Sequence, residues 1–139
     1  MSALPKIEAV LYDRITDTLA DEGVRVIIGY TEAPELVAIF SSEFDREYRL
    51  LGPNPVPLEE KFRVDILVEV LRPSGRDMRP ASDRAWEIFA LVEDAVRADD
   101  DLDEIAFDSR FDKGSREFFQ TDKKQGARIR ATLTGTARI

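Results

Sequence analysis

The segment ARIRATLTGTARI, residues 127–139, constrains the fold more than any other stretch of the chain. Ala127, Ile129, Ala131, Leu133, Gly135, Ala137 and Ile139 alternate with Arg128, Arg130, Thr132, Thr134, Thr136 and Arg138. A repeat of two is the period of a strand with one face buried. The buried set is mostly small, which lets a helix pack closely against the sheet. The same period runs through 61–72. There Phe62, Val64, Ile66, Val68 and Val70 face the core, and Arg63, Asp65, Leu67, Glu69 and Leu71 lie opposite.

Two segments carry the other period. In 4–22, Ile7, Val10, Leu11, Ile15 and Leu19 follow three-four spacing, the stripe of a helix with one buried face. Pro5 fits its first turn, which has no internal donors to lose, and Gly23 fits the position just past its end. In 81–98, Ala85, Phe89, Val92 and Val96 make the stripe, and Trp86, Ile88 and Ala95 broaden it into the core.

The remaining elements are shorter. The β-branched run 24–28 predicts a strand at the sheet centre or buried on both faces. Residues 36–40 predict a second strand. In 41–51, Phe44, Tyr48 and Leu51 also suit a helical turn or two. GPNPVP, residues 52–57, predicts a loop, since its prolines feed neither ladder nor helix. Residues 105–111 and 117–121 predict a short hairpin around a turn at 112–115. The expected fold is α+β: one domain over residues 1–139, two helices on one face of a mostly antiparallel or mixed sheet, and an additional short β-hairpin.

With 139 residues, the chain suits one domain. Histidine and cysteine are both absent. That removes the usual general base at neutral pH, the Ser-His-Asp triad, histidine-bearing and thiolate metal sites, and disulfides. The net charge is −8, from 20 basic and 28 acidic side chains. No clustered basic run marks a nucleic-acid face. An acidic wall would instead repel phosphates and let a duplex slide past. The opening MSALPKIEAVLYD has no basic-then-apolar signal pattern, so residence in the cytosol of the producing cell is expected.

Several constellations have a bland reading that outweighs the chemical one. Asp99, Asp100, Asp101, Asp103 and Glu104 lack the spacing and turn glycine of a calcium loop, and read as a solvated connection. Gly52-Pro53-Asn54-Pro55 lacks the lysine of a phosphate loop. Arg128, Arg130 and Arg138 form either a phosphate-contacting strip or, preferably, cross-strand partners for Asp65 and Glu69. Trp86 reads as core. No residue is assigned a catalytic, cofactor-binding or metal-binding role. Leu67 and Leu71, opposite the core set, and Phe107, Phe111, Phe118 and Phe119, crowded on two short strands, either mark a subunit interface or close a small second core. Tyr48 joins them as an interface candidate, within a loop region at 31–51.

In its succession of segments the chain resembles the tail terminator (tail completion) proteins of long-tailed, non-contractile phages. The resemblance spans nearly the whole chain. It lies in the opening helix, VRVIIGY, PELVAIF followed by YRLLG, EKFRVDILVEV, RAWEIFALVEDAVR and ARIRATLTGTARI. It implies a homo-oligomeric ring, of six subunits, on the head-proximal end of the tail tube in the virion, assembled in the host cytoplasm. It further implies that the ring ends tube polymerisation, docks the head connector and passes DNA through its lumen without specific binding. Tail-tube and head-connector proteins are the implied partners, with no membrane and no cofactor. The alternatives are another head–tail connector, such as a head-closure subunit, and a small-ligand-binding α+β domain.

Overall fold

The computed structural model describes residues 2–51, 54–98, 102, 105–121 and 123–138, with the backbone alone at 48–51, 54–58, 107 and 138. The order is α1 (Leu4–Thr18), β1 (Arg25–Ile28), β2 (Glu35–Leu51), β3 (Asn54–Pro73), α2 (Arg79–Arg97), β4 (Ala106–Gln120) and β5 (Lys124–Arg138). The strands form one sheet ordered β1-β2-β3-β5-β4. β1 runs parallel to β2, and every other pairing is antiparallel. The expected α+β class, with two helices and a mixed sheet, is what the chain adopts.

Both helices share one core with one face of the sheet. Ile7, Leu11 and Ile15 of α1 and Ala85, Ile88, Val92 and Val96 of α2 bury against Val64, Ile66, Val68 and Val70 of β3 and Ala127, Ile129 and Leu133 of β5. The alternations of β3 and β5 thus set the core face as expected. Small residues on β5 make room: a Cβ at Gly135 would fall 2.6 Å from the Phe62 ring, which crosses over that position. Glu60 is buried among these groups. Its carboxylate accepts bonds from the Ser2 hydroxyl (2.7 Å), the Ala3 N–H (3.0 Å) and Arg46 Nε (2.8 Å). It thereby satisfies an orphan donor at the start of α1, where a negative charge also complements the helix dipole.

Five expectations need correction. First, β1 lies at a sheet edge, not the centre, and its side chains are only partly covered. Second, α1 stops at Thr18, and a turn intervenes before Gly23, which does take positive φ (+72°). Third, residues 41–51 are strand. Opposite β3 they meet Arg63 with Glu43, Lys61 with Asp45 and Glu60 with Arg46, so cross-strand charge pairs and the Phe44–Phe62 pair outweigh the helical spacing. Fourth, the proline segment from Asn54 belongs to β3. Pro55 and Pro57 pair with Leu50 and Tyr48 on one side, while β5 begins its pairing only at Glu59. Proline is tolerated there because no ladder needs its missing donor. Fifth, the expected hairpin at 105–121 is one continuous strand. The ladder to β5 runs on through Phe111 and Lys113, absorbing one extra residue as a bulge.

The parallel β1–β2 pair explains a further feature. Residues 29–34 must return along the length of β1, about 13 Å at strand rise, with only about 20 Å of extended reach. The return starts at Gly29, whose φ of +103° favours glycine. It crosses the face opposite the helices, because the Tyr30 hydroxyl donates to Glu69 Oε1 at 2.8 Å, and Glu69 points away from the core set.

Candidate subunit interface

The crossing segment decides the fate of two predicted interface residues. Leu67 is 5% exposed and Leu71 is 4% exposed. Leu67 joins Ala33, Leu36 and Ala38 in a second small core, with Ile27 and Phe40 against it. Leu71 donates its N–H to the Pro34 carbonyl at 2.8 Å. Their assignment to an interface is therefore corrected to interior packing.

The other predicted residues whose side chains are described, Phe111, Phe118 and Phe119, do not form one patch. Phe111 is half-buried against Phe89 of α2, with ring centroids 5.4 Å apart. Phe118, at 52% exposed, faces the helix side, with the Arg116 guanidinium 4.0 Å above it. Phe119 lies on the opposite face beneath Arg128, at 3.9 Å. The side chains of Tyr48, Phe107 and Arg138 lie outside the described residues, as does the cluster Asp99, Asp100, Asp101, Asp103 and Glu104.

The expected pairing with Asp65 or Glu69 holds for Arg128, whose Nη2 lies 3.2 Å from Glu69 Oε2. Arg130 pairs instead with Glu117 of β4, at 3.3 Å from its Nε, and Asp65 takes Ser41 and Thr132 as partners. The Glu69 carboxylate is fully buried. Its Oε2 and Arg128 Nε make no hydrogen bond, so the attraction is Coulombic more than directional. Burial, and the bond donated to Glu69, push the Tyr30 phenol up to about 12. A second network gathers on Arg84 of α2, which reaches Glu35 (3.0 Å), Glu22 (3.4 Å) and Glu87 (2.7 Å). It ties the helix to the start of β2 and the turn after α1. These are structural ties, and among the described residues no group of metal-binding side chains is assembled.

What the surface does offer is sheet edge. β4 is an outermost strand along its whole length, and most of its residues are exposed. At the other side, β1 covers only Leu36–Ile39 of β2, leaving the edge of β2 beyond Ile39 without a described strand neighbour. Two exposed aromatics missed by sequence reasoning stand beside these edges. Phe44 on β2 is 53% exposed, and Trp86 on α2 is 48% exposed rather than core. Trp86 sits at the margin of its stripe, where α2 overhangs β4. It borders a groove of about 240 Å³ lined by Phe89, Phe111, Gly114, Ile129 and Ala131. Phe44 was hidden by the ambiguity of 41–51; as strand, it stands between Glu43 and Asp45 with Phe62 opposite it on β3.

No helix among the described residues is long and apolar enough to cross a membrane. No known family's sequence model matches this chain, and no curated protein matches it.

Proposed function

We propose that this chain is a structural subunit that assembles with copies of itself into a ring, as a tail terminator on the head-proximal end of a phage tail tube. The observation that carries this reading is one sheet with open edges at its two sides, the β4 edge and the β2 edge beyond Ile39. Head-to-tail assembly needs two different surfaces on each subunit, and a rotation that closes makes a ring. Exposed aromatics beside both edges supply apolar contact. The absence of histidine and cysteine suits a role that asks for no proton shuttle or nucleophile. A net charge of −8 suits a lumen along which DNA slides without being gripped. In this role the partners are the tube protein below and the head connector above, within the virion.

Deleting the gene tests the assignment within the tail. A terminator leaves tubes of uncontrolled length. Tubes of normal length on heads that leak DNA would instead assign the chain to head closure.

A further inference from the structure

Resting on the self-assembly reading, we infer which surfaces meet: the β4 edge of one copy, from Arg110 to Glu117, pairs antiparallel with the edge of β2 that β1 leaves free in the next, seating Phe44 in the groove beside Trp86. Three independent features of the sheet converge on this pairing.

The first is strand direction. β2 and β5 run one way, β3 and β4 the other. When a second copy continues the sheet with its helices on the same side, its β2 meets β4 antiparallel. That is the orientation with perpendicular, paired hydrogen bonds.

The second is charge. The bulge at Asp112 makes Arg110 and Lys113 successive positions on the face away from the helices, opposite Thr134 and Thr132. On the free part of β2, Glu43, Asp45 and Glu47 occupy successive positions of that same face, opposite Arg63, Lys61 and Glu59. With Lys113 opposite Asp45, Arg110 falls opposite Glu47, and both cross-strand neighbours are of opposite charge.

The third is shape. The same register places Phe44 of the incoming strand opposite Gly114, on the helix side. Gly114 lines the groove with Trp86, Phe89 and Phe111. At about 240 Å³ the groove is smaller than a drug-sized ligand site, about 300–1,000 Å³, and holds one large side chain. An aromatic crossing a facing glycine is already the habit of this sheet. Phe62 lies over Gly135, and Phe119 lies over Gly126. Such cross-strand aromatic–glycine pairs cover the backbone that glycine leaves bare.

The chain has no cysteine, so introduced thiols report contacts cleanly. Lys113→Cys and Asp45→Cys replace exposed side chains. Within one copy they are separated by three strand spacings, about 14 Å or more, beyond the roughly 7 Å reach of a disulfide. Mixing the two single variants under mild oxidation is expected to give a covalent dimer and nothing larger. The double variant is expected to give a ladder on a non-reducing gel. A control mixture of Asp45→Cys with Arg97→Cys, on an exposed position of α2, is expected to yield at least tenfold less. Phe44→Ala is expected to weaken self-association at least tenfold in sedimentation while the monomer keeps its fold by circular dichroism, its thermal midpoint falling only by the few degrees that one lost cross-strand pair costs. Wild-type oligomers with no disulfide above the control overturn this pairing and leave self-assembly standing. A wild-type chain that sediments as a monomer, alone and with tube protein, overturns both.

Discussion

Replacing Arg128 with Met isolates the ion pair that holds the crossing segment to the sheet. The wild-type Glu69 carboxylate is fully buried, 3.2 Å from an Arg128 guanidinium that is itself 20% exposed. Truncating the arginine leaves a buried charge whose remaining described partner is the Tyr30 hydroxyl. Removing one member of a buried pair costs about 3–5 kcal/mol. The imperfect alignment and partial exposure place this case near the lower end, about 3 kcal/mol. Loss of the guanidinium stacked on Phe119 adds about 0.5–1 kcal/mol. The sum is a large share of the roughly 5–15 kcal/mol that stabilises a typical domain. Removing both charges, in Glu69→Leu/Arg128→Met, removes the stranded carboxylate as well, and the double variant is expected within about 1 kcal/mol of wild type. Urea unfolding of all four proteins gives the coupling energy, expected at about 2–3 kcal/mol. If the double variant is as unstable as Arg128→Met alone, the cost is not that of an uncompensated carboxylate, and the reasoning fails.

Other consequences are equally direct. Tyr30→Phe removes a phenol whose folded value is raised from 10.0 to about 12. The wild-type advantage over this variant is therefore full below pH 10 and declines as pH rises toward 12, a window that alkaline unfolding curves cover. Burial raises the Glu60 carboxyl, but the bonds from Arg46, Ser2 and the Ala3 N–H outweigh it, and the net value falls below 4.5. Its contribution is thus complete above pH 4.5 and lost as pH falls through the lowered value. Glu60→Gln should differ most from wild type near neutrality and converge with it in acid. Leu67→Ala should lower stability by about 2–4 kcal/mol in chemical denaturation, as for a buried leucine, and a cost below about 0.5 kcal/mol would return that residue to the surface.

How much of this was legible depended on whether a signal was local. The faces of β3 and β5 follow from strict alternation, because a slip of one residue would turn every buried side chain to the other face. That the arginines of β5 and the carboxylates of β3 share a face was readable for the same reason, but which arginine meets Glu69 needed the register. The burial of Leu67 and Leu71 was not. It depends on residues 29–34 crossing the far face, which follows from the parallel β1–β2 pair and from no property of the leucines themselves. The strand character of 41–51 was hidden in the complement between Glu43, Asp45 and Arg46 and the residues of β3, a match visible only once the register is known. Likewise, the bulge at Asp112 looks like a turn in DKGS, because bulges and turns favour the same residues. Trp86 was misplaced because a helical stripe shows which side is buried but not where the helix overhangs the sheet.

The central claim is self-assembly into a closed ring, and the most direct measurement is the mass and shape of the purified wild-type chain, alone and with tail-tube protein. Light scattering combined with negative-stain microscopy is expected to give a discrete multiple of the 15.8 kDa chain and rings with a central hole. A strict monomer under both conditions would contradict the account.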